Sequence, residues 1–473
     1  PSRSCSRACG AWTKGSRTHD ARASPRGTRI SKSRPLTSAA HNAADGTHTF
    51  HYRLDKDHST YLVSLAVGHY SEVRDDSGPV PIYYYVLPGQ EEKAKLSFGK
   101  TGDMVKFYQD TLGVPYPWGR YSQVEAVDFI AGGMENTSVT TETERAVQDA
   151  PARLTNLSEH LVSHELAHQW FGDLLTCRDW TNIWLNEGWA TYMEICYTGH
   201  NEGPDMYTQR LWECAHSVFE VDKPENRLAT VRKAWGDPEA LFDQRIYEKG
   251  GLVLHMLRRQ LGDDAFWKAV NTYLTRYAHQ PVETNDFMRT LEQVSGQGLE
   301  QFFDQWIYHA GWPEFRVSYE WDNDKSLAKV HVEQVQKVDE KTLLFHVKTA
   351  LRFTGADYTK DEAIDITQKE HTFFVSLKSR PDFVRFDPEL SVFKSLDFDK
   401  PKDMFKAQLE KDPTAYGRYE ACLGLGKLRD DDAVDALKKA LDNDAFWGVR
   451  ARAAEALAGM DNPKAETAAI VSL

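Results

Sequence analysis

No stretch of the chain comes near the roughly eighteen consecutive apolar residues that a helical membrane span requires. The first forty residues lack the roughly seven-residue apolar core of a secretory signal peptide, which favours a soluble cytoplasmic protein over a secreted one. Acidic residues are almost missing from the same stretch. Asp20 stands alone among many Arg, Lys and Ser, with little apolar periodicity. Segment 1–46 is therefore expected to be disordered or foreign to the fold, with a basic arm for an anionic partner as the sharper alternative. Cysteine is sparse: Cys5, Cys9, Cys177, Cys196, Cys214 and Cys422 show no CxxC spacing. They read as buried small hydrophobes, not as a metal module or a disulfide framework. An excess of positive charge is also absent, and the net charge of -13 argues against general nucleic-acid affinity.

What is present is enough apolar material, 41% of 473 residues, for about three domains with their own cores. The most informative stretch runs from His160 to Glu187 and contains His164-Glu165-Leu166-Ala167-His168. Leu157, Leu161, Leu166, Trp170 and Leu174 recur at near-helical spacing and predict a buried helix. Residues four apart lie on one helical face, so His164 and His168 can aim two imidazole nitrogens at one point, as a zinc ion needs. Glu165 falls on a neighbouring face, within reach of a metal-bound water. Two surface histidines flanking a helical glutamate would give the same five letters. Glu187, after eighteen intervening residues, tips the balance. It opens a second apolar segment, Trp184 to Ala190, that can fold back as an antiparallel helix. Two His and one Glu leave a fourth tetrahedral position open, the mark of catalytic zinc.

These residues resemble the zinc aminopeptidases of the aminopeptidase N and leukotriene hydrolase type, whose signature is HExxH followed by Glu after eighteen residues. Gly132-Gly133-Met134-Glu135-Asn136 is similar to that family's exopeptidase motif, in the GGMEN form. Tyr247-Glu248-Lys249-Gly250 is similar to the segment carrying its catalytic tyrosine. The three motifs come in the family's order across about half the chain. The resemblance implies one zinc per chain on His164, His168 and Glu187, with Glu165 as general base. It implies Tyr247 as donor to the oxyanion and Gly132, Gly133, Met134 and Glu135 as substrate-binding residues, Glu135 facing the free α-ammonium of a peptide. Asn136 is the weaker candidate for direct contact. Asp173 and Asn182 are positional candidates for orienting the ligands. Trp170, Trp184 and Trp189 read as core aromatics.

The expected fold class is α+β and multidomain. After the basic segment 1–46, strand patterns over 47–87 read, by the resemblance, as the tail of the family's N-terminal β-domain. The glutamine-containing segment that assists amine binding in the family is not found. Residues 88–311 fit a thermolysin-like zinc peptidase domain, with helices expected over Glu91–Leu112, Met206–Phe219, Ile246–Leu261, Ala265–Tyr277, Asn285–Val294 and Leu299–His309. Residues 312–400 alternate as a small β-sandwich. Residues 401–473 are helical, and Tyr416-Gly417-Arg418 is echoed by Trp447-Gly448-Val449-Arg450, a period of about thirty typical of HEAT-like helix pairs. The start at Pro1 and the stop in mid-array fit a fragment, for which self-association through truncated domains is an expectation.

The function expected is removal of the N-terminal residue from peptides with a free N-terminus. Three alternatives stay open at this level: a lipid-epoxide hydrolase of the same family, a thermolysin-type endopeptidase, and a non-catalytic scaffold.

Overall fold

The computed structural model of the chain describes residues 19–23, 29–32, 36–41, 48–154 and 158–471. It divides into two compact units, residues 1–197 with 230–303, and residues 198–229 with 304–473. Cys5 and Cys9, and Leu157 of the expected helix, lie outside the described residues. The other four cysteines are buried, as expected.

The first unit begins with strands. β1 (His19–Ala23), β2 (Arg29–Lys32), β3 (Leu36–His41) and β4 (His48–Tyr52) precede β5 (Leu65–Gly68), β6 (Ser71–Asp75) and β7 (Ile82–Val86). β1 and β3 flank β4 antiparallel, and β2 pairs with β5. Within segment 1–46, expected to be disordered or foreign to the fold, the three described stretches are strands. Strand pairing uses backbone groups, which a lack of apolar side chains does not remove. β5, part of the expected free edge at Tyr61–Val73, has β2 on one side.

Helices α1 (Glu91–Phe98) and α2 (Thr101–Leu112) replace the single helix expected over Glu91–Leu112. They break at Gly99-Lys100, where the Thr101 hydroxyl donates to the Phe98 carbonyl at 2.6 Å. β8 (Tyr121–Ala126), β9 (Gly133–Met134) and β10 (Val139–Thr143) follow. One five-stranded sheet has the order β6-β7-β8-β10-β9. β7, β8 and β10 run parallel, while β6 and β9 pair antiparallel at the two edges. A boundary at residue 87 would cut this sheet, because β6 and β7 hydrogen-bond into it. The alternating pattern of those strands was legible in sequence, but their partner was not.

α3 (Glu159–Ala167), β11 (Thr176–Cys177) and α4 (Trp184–Glu202) follow, and then α5 (Pro204–Val221), which belongs to the second unit. The first unit closes with α6 (Glu248–Leu261), α7 (Asp263–Arg276), β12 (Pro281–Val282), α8 (Thr284–Ser295) and α9 (Glu300–Phe303). Its core is aromatic. Trp170, Trp184 and Trp189 are fully buried. Phe171 stacks on Trp189 with ring centroids 4.2 Å apart. Burying side chains of this size stabilises by about 1.5–3 kcal/mol each before entropy is charged, which makes a rigid floor for α3 and α4.

In the second unit, β13 (Glu314–Asp322), β14 (Leu327–Gln334), β15 (Val347–Thr354), β16 (Thr359–Ile366), β17 (Glu370–Ser376), β18 (Phe383–Phe386) and β19 (Ser395–Asp399) make two sheets. Their orders are β17-β14-β13-β19 and β16-β15-β18. Residues 88–311 are not one body, because α5 and residues 304–311 fall in this unit. The reason is the packing of α5. Phe219 contacts Trp312 and Phe393, and Trp212 contacts Tyr419 while the Arg452 guanidinium lies over its ring.

Helices α10 (Lys402–Lys411), α11 (Ala415–Leu428), α12 (Asp431–Asn443), α13 (Trp447–Ala458) and α14 (Pro463–Val471) end the chain. The period seen in sequence has a physical basis here. Arg418 donates to the Asp412 carbonyl at 3.1 Å and Arg450 to the Asp444 carbonyl at 2.8 Å, the same contact in successive repeats. Among the described residues no helix is long and apolar enough to cross a membrane.

Candidate active site

α3 carries HExxH as its last turn. Beyond Ala167 the helix tightens, with Gln169 and Trp170 amides bonding three residues back to Leu166 and Ala167. Gly172, at φ +138°, then turns the chain away from the helix in a conformation that side chains resist. The helix is therefore shorter than the apolar spacing predicts. Trp170 and Leu174 are buried, but in the turn that follows it. His168 caps the helix with φ -58° and ψ -23°, so the four-residue alignment with His164 survives. The two rings lie 4.9 Å apart.

α4 returns Glu187 to them in its first turn, where the helix dipole favours a carboxylate. Glu187 Oε2 is 3.4 Å from His164 Nε2 and 3.2 Å from His168 Nε2. Among the described residues, His164, His168 and Glu187 form a group able to hold a metal ion, with ligand atoms within 4.8 Å of one another. The electrostatics fit a cation at that point. Burial works against every charge here, yet the two imidazoles hold the Glu187 carboxyl down at about 2. Likewise burial disfavours a charged His168, but Glu187 and Glu135 outweigh it and raise the imidazole to about 9.

The outer nitrogens are also held. His168 Nδ1 donates to the Phe171 carbonyl at 2.9 Å, which fixes the ring with Nε2 on the Glu187 side. His164 Nδ1 lies 3.5 Å from Glu194 Oε2, seven residues beyond Glu187 on the same helix. Asn182 has another task, since its Oδ1 accepts from the Thr284 amide and hydroxyl. Asp173 is fully buried, and its amide donates to the His168 carbonyl at 3.0 Å.

β9, the outermost strand of the five-stranded sheet, brings Gly133 against α3. A Cβ on Gly133 would lie 2.4 Å from Glu165 Oε1, so the glycine gives the Glu165 carboxylate its room. Burial lifts the Glu165 carboxyl to about 7, against the pull of the two histidines. Glu142, opposite Gly133 on β10, is buried, and burial together with Glu165 keeps its carboxyl well above the ordinary range.

Glu135 follows β9 directly and is only 6% exposed. Its carboxylate lies within 4.8 Å of ligand atoms of Glu165 and His168. Asn136 Oδ1 instead accepts from the Thr141 hydroxyl at 2.8 Å. Tyr247 sits at the head of α6, its ring centroid 6.0 Å from that of His164. Gly188 and Gly250 make this possible, because a Cβ on Gly188 would lie 3.0 Å from the Gly250 Cα, so α4 and α6 meet backbone to backbone. Burial first, then Glu187, Glu135 and Glu165, keep the Tyr247 hydroxyl protonated far above neutral pH.

His164, Glu165, His168, Glu187, Gly133 and Glu135 thus lie together, with Tyr247 beside His164, whereas Asn136 and Asn182 bond Thr141 and Thr284. Sequence reasoning missed Glu194, Glu142, Tyr61 and Asn186. A helical wheel through Glu187 would have found Glu194. Tyr61 left no local signal.

Two imidazoles and a carboxylate presented by an HExxH helix and its return helix, beside an antiparallel edge strand, are an arrangement of the kind metallopeptidases use. Residues 96–306 match the peptidase family M1 domain, and residues 403–470 match HEAT repeats. Residues 96–306 are thus similar to the peptidase family M1 domain. The chain is 33% identical over 270 residues to aminopeptidase 2 of Candida albicans, covering 55% of this chain and 29% of that one. It is 29% identical over 327 residues to a probable aminopeptidase 2 of Sulfurisphaera tokodaii, covering 65% and 40%. With the glutamyl aminopeptidase of Rattus norvegicus it shares 30% identity over 268 residues, 55% of this chain and 28% of the other. The crystal structure of Legionella pneumophila aminopeptidase A in complex with aspartic acid has the same fold. Its TM-score is 0.77 at 18% identity, over 94% of this chain and 54% of that one. The chain spans between 28% and 40% of the length of the curated relatives it matches.

Proposed function

We propose that this chain is a zinc aminopeptidase that removes the N-terminal residue from peptides, with one zinc held by His164, His168 and Glu187. The observation that carries the reading is the position of Glu135, a buried carboxylate within 4.8 Å of Glu165 and His168. In a peptide the α-nitrogen and the first carbonyl carbon are about 2.5 Å apart. An ammonium paired with Glu135 therefore sets the first peptide bond beside Glu165, and no residue fits upstream. A thermolysin-type endopeptidase has no use for a buried acid there.

When bound, zinc supplies Lewis acidity for the scissile carbonyl and lowers the pKa of water. The protein's own groups do the rest. The outer edge of β9 offers backbone groups for an extended substrate. Glu135 binds and orients the ammonium. Glu165 takes the proton of the attacking water and returns it to the leaving amine. The Tyr247 hydroxyl donates a hydrogen bond to the carbonyl oxygen as charge develops there.

In the same reading, residues 312–400 are a β-sandwich and residues 401–473 part of a HEAT-like array. Strands within 47–87 continue the family's N-terminal β-domain.

The test is hydrolysis of a panel of aminoacyl chromogenic substrates, free and N-acetylated, with and without a zinc chelator. Turnover of the free forms alone, abolished by the chelator, is expected. Equal turnover of acetylated forms would overturn the assignment.

A further inference from the structure

Glu135 is held by more than its own loop. Tyr61, 74 residues upstream, lies in a single 3-10 turn, Thr60–Leu62. That turn is tied to the Glu135 loop by the Thr137 amide, which donates to the Leu62 carbonyl at 3.3 Å. The Tyr61 hydroxyl lies 3.5 Å from Glu135 Oε1, the outer limit of a hydrogen bond. On its other side it accepts from Asn186 Nδ2 at 3.3 Å. The orientation of Asn186 is settled independently, because its Oδ1 accepts from the Cys177 amide at 3.2 Å. The amide group therefore faces Tyr61, and the phenolic proton is left to go to Glu135. The ring is held edge-on against Trp180, centroids 5.4 Å apart at 71°.

We propose that Tyr61 is a positioning residue which, with Asn186, fixes the Glu135 carboxylate for the α-ammonium of the substrate. The proposal rests on the reading of Glu135 given above. Left to itself, a carboxylate within 4.8 Å of His168 turns towards that imidazole and the metal ligands. A donor on Oε1 holds it off and leaves Oε2 for a cation. Burial, and then the Glu135 charge, keep the Tyr61 proton in place at any working pH. The chain Cys177 to Asn186 to Tyr61 to Glu135 also ties the ammonium site to the helix that carries Glu187. Substrate anchoring and metal position then share one frame.

The experiment uses the full chain loaded with zinc, with metal content measured for each variant. Tyr61→Phe removes one oxygen. It should raise KM for free-amine substrates roughly 3- to 10-fold, the worth of one hydrogen bond, with kcat within about twofold. The affinity of a des-amino inhibitor, which has no ammonium to place, should stay unchanged. In the Glu135→Gln background the same substitution should add less than about twofold, because both act through one carboxylate. Tyr61→His keeps a ring donor and should recover part of the loss. If Tyr61→Phe does not fold, Tyr61→His must still show a KM rise confined to the free amine. An unchanged KM, an equal loss of des-amino binding, or additive effects with Glu135→Gln would each overturn the proposal. Failure of the Glu135 reading is visible separately, as wild type that cleaves acetylated and free substrates alike.

Discussion

Replacing Glu135 by Gln tests the anchoring of the substrate with little change in shape. The size of the effect follows from burial. An ion pair at the surface is worth about 0–1 kcal/mol, whereas losing one partner of a buried, hydrogen-bonded pair costs about 2–5 kcal/mol. At 6% exposure Glu135 belongs with the second group. The amide still accepts a hydrogen bond, so the lower part of that range applies, about 2–3 kcal/mol. That is roughly a 30- to 150-fold loss in kcat/KM for a free-amine substrate. The assay compares aminoacyl chromogenic substrates with their des-amino analogues, for which little change is expected. Zinc content and the thermal midpoint should stay at wild-type values, since Glu135 is outside the group His164, His168 and Glu187. A loss below about fivefold, or an equal loss on des-amino substrates, would refute the argument from burial.

Three further outcomes are expected. Glu165→Gln should keep zinc, measured by metal analysis, while kcat falls roughly 10²- to 10⁴-fold with the loss of the general base. Tyr247→Phe should lower kcat roughly 10²- to 10³-fold and change KM far less, because its hydroxyl acts on charge present only in the transition state. In the second unit, Asp387 is fully buried and accepts from Lys394 Nζ at 2.5 Å and Thr349 Oγ1 at 2.7 Å. Asp387→Asn leaves the buried ammonium uncompensated, and a loss of about 3–5 kcal/mol is expected in thermal unfolding. Burial alone would raise the Asp387 carboxyl, but Lys394 outweighs it and holds it below its ordinary value. Its contribution is therefore present above the unfolded value of about 4 and is lost as pH falls through the folded value. The gap between wild type and Asp387→Asn should narrow on acidification below about pH 4.

The core of the site was legible because its geometry is mostly local. His164 and His168 share a helical face whatever the rest of the chain does, and Glu187 needs only one turn and a return helix. Gly133 and Glu135 were readable through the resemblance of Gly132-Gly133-Met134-Glu135-Asn136 to the family's exopeptidase motif. The end of α3 was not legible. Trp170 and Leu174 keep the helical spacing, but their burial comes from the turn around Gly172. Polar strands were missed for a related reason. β16 opens with Thr359-Lys360-Asp361-Glu362, which is held by its ladder to β15, and its buried apolar side chains, Ile364 and Ile366, come only at its end. Tyr61 lies beyond any local rule, since only the folded turn brings it to Glu135. The place of α5 was equally hidden, because Trp212 and Phe219 look the same in sequence whichever core receives them.

The proposal at the centre of this account is that Glu135 restricts cleavage to chain ends. It is tested most directly by mass spectrometry of a ten-residue peptide incubated with the zinc-loaded chain. A ladder shortened one residue at a time from the N-terminus is predicted, with the N-acetylated peptide left intact. Internal fragments, or shortening of the acetylated peptide, would contradict it.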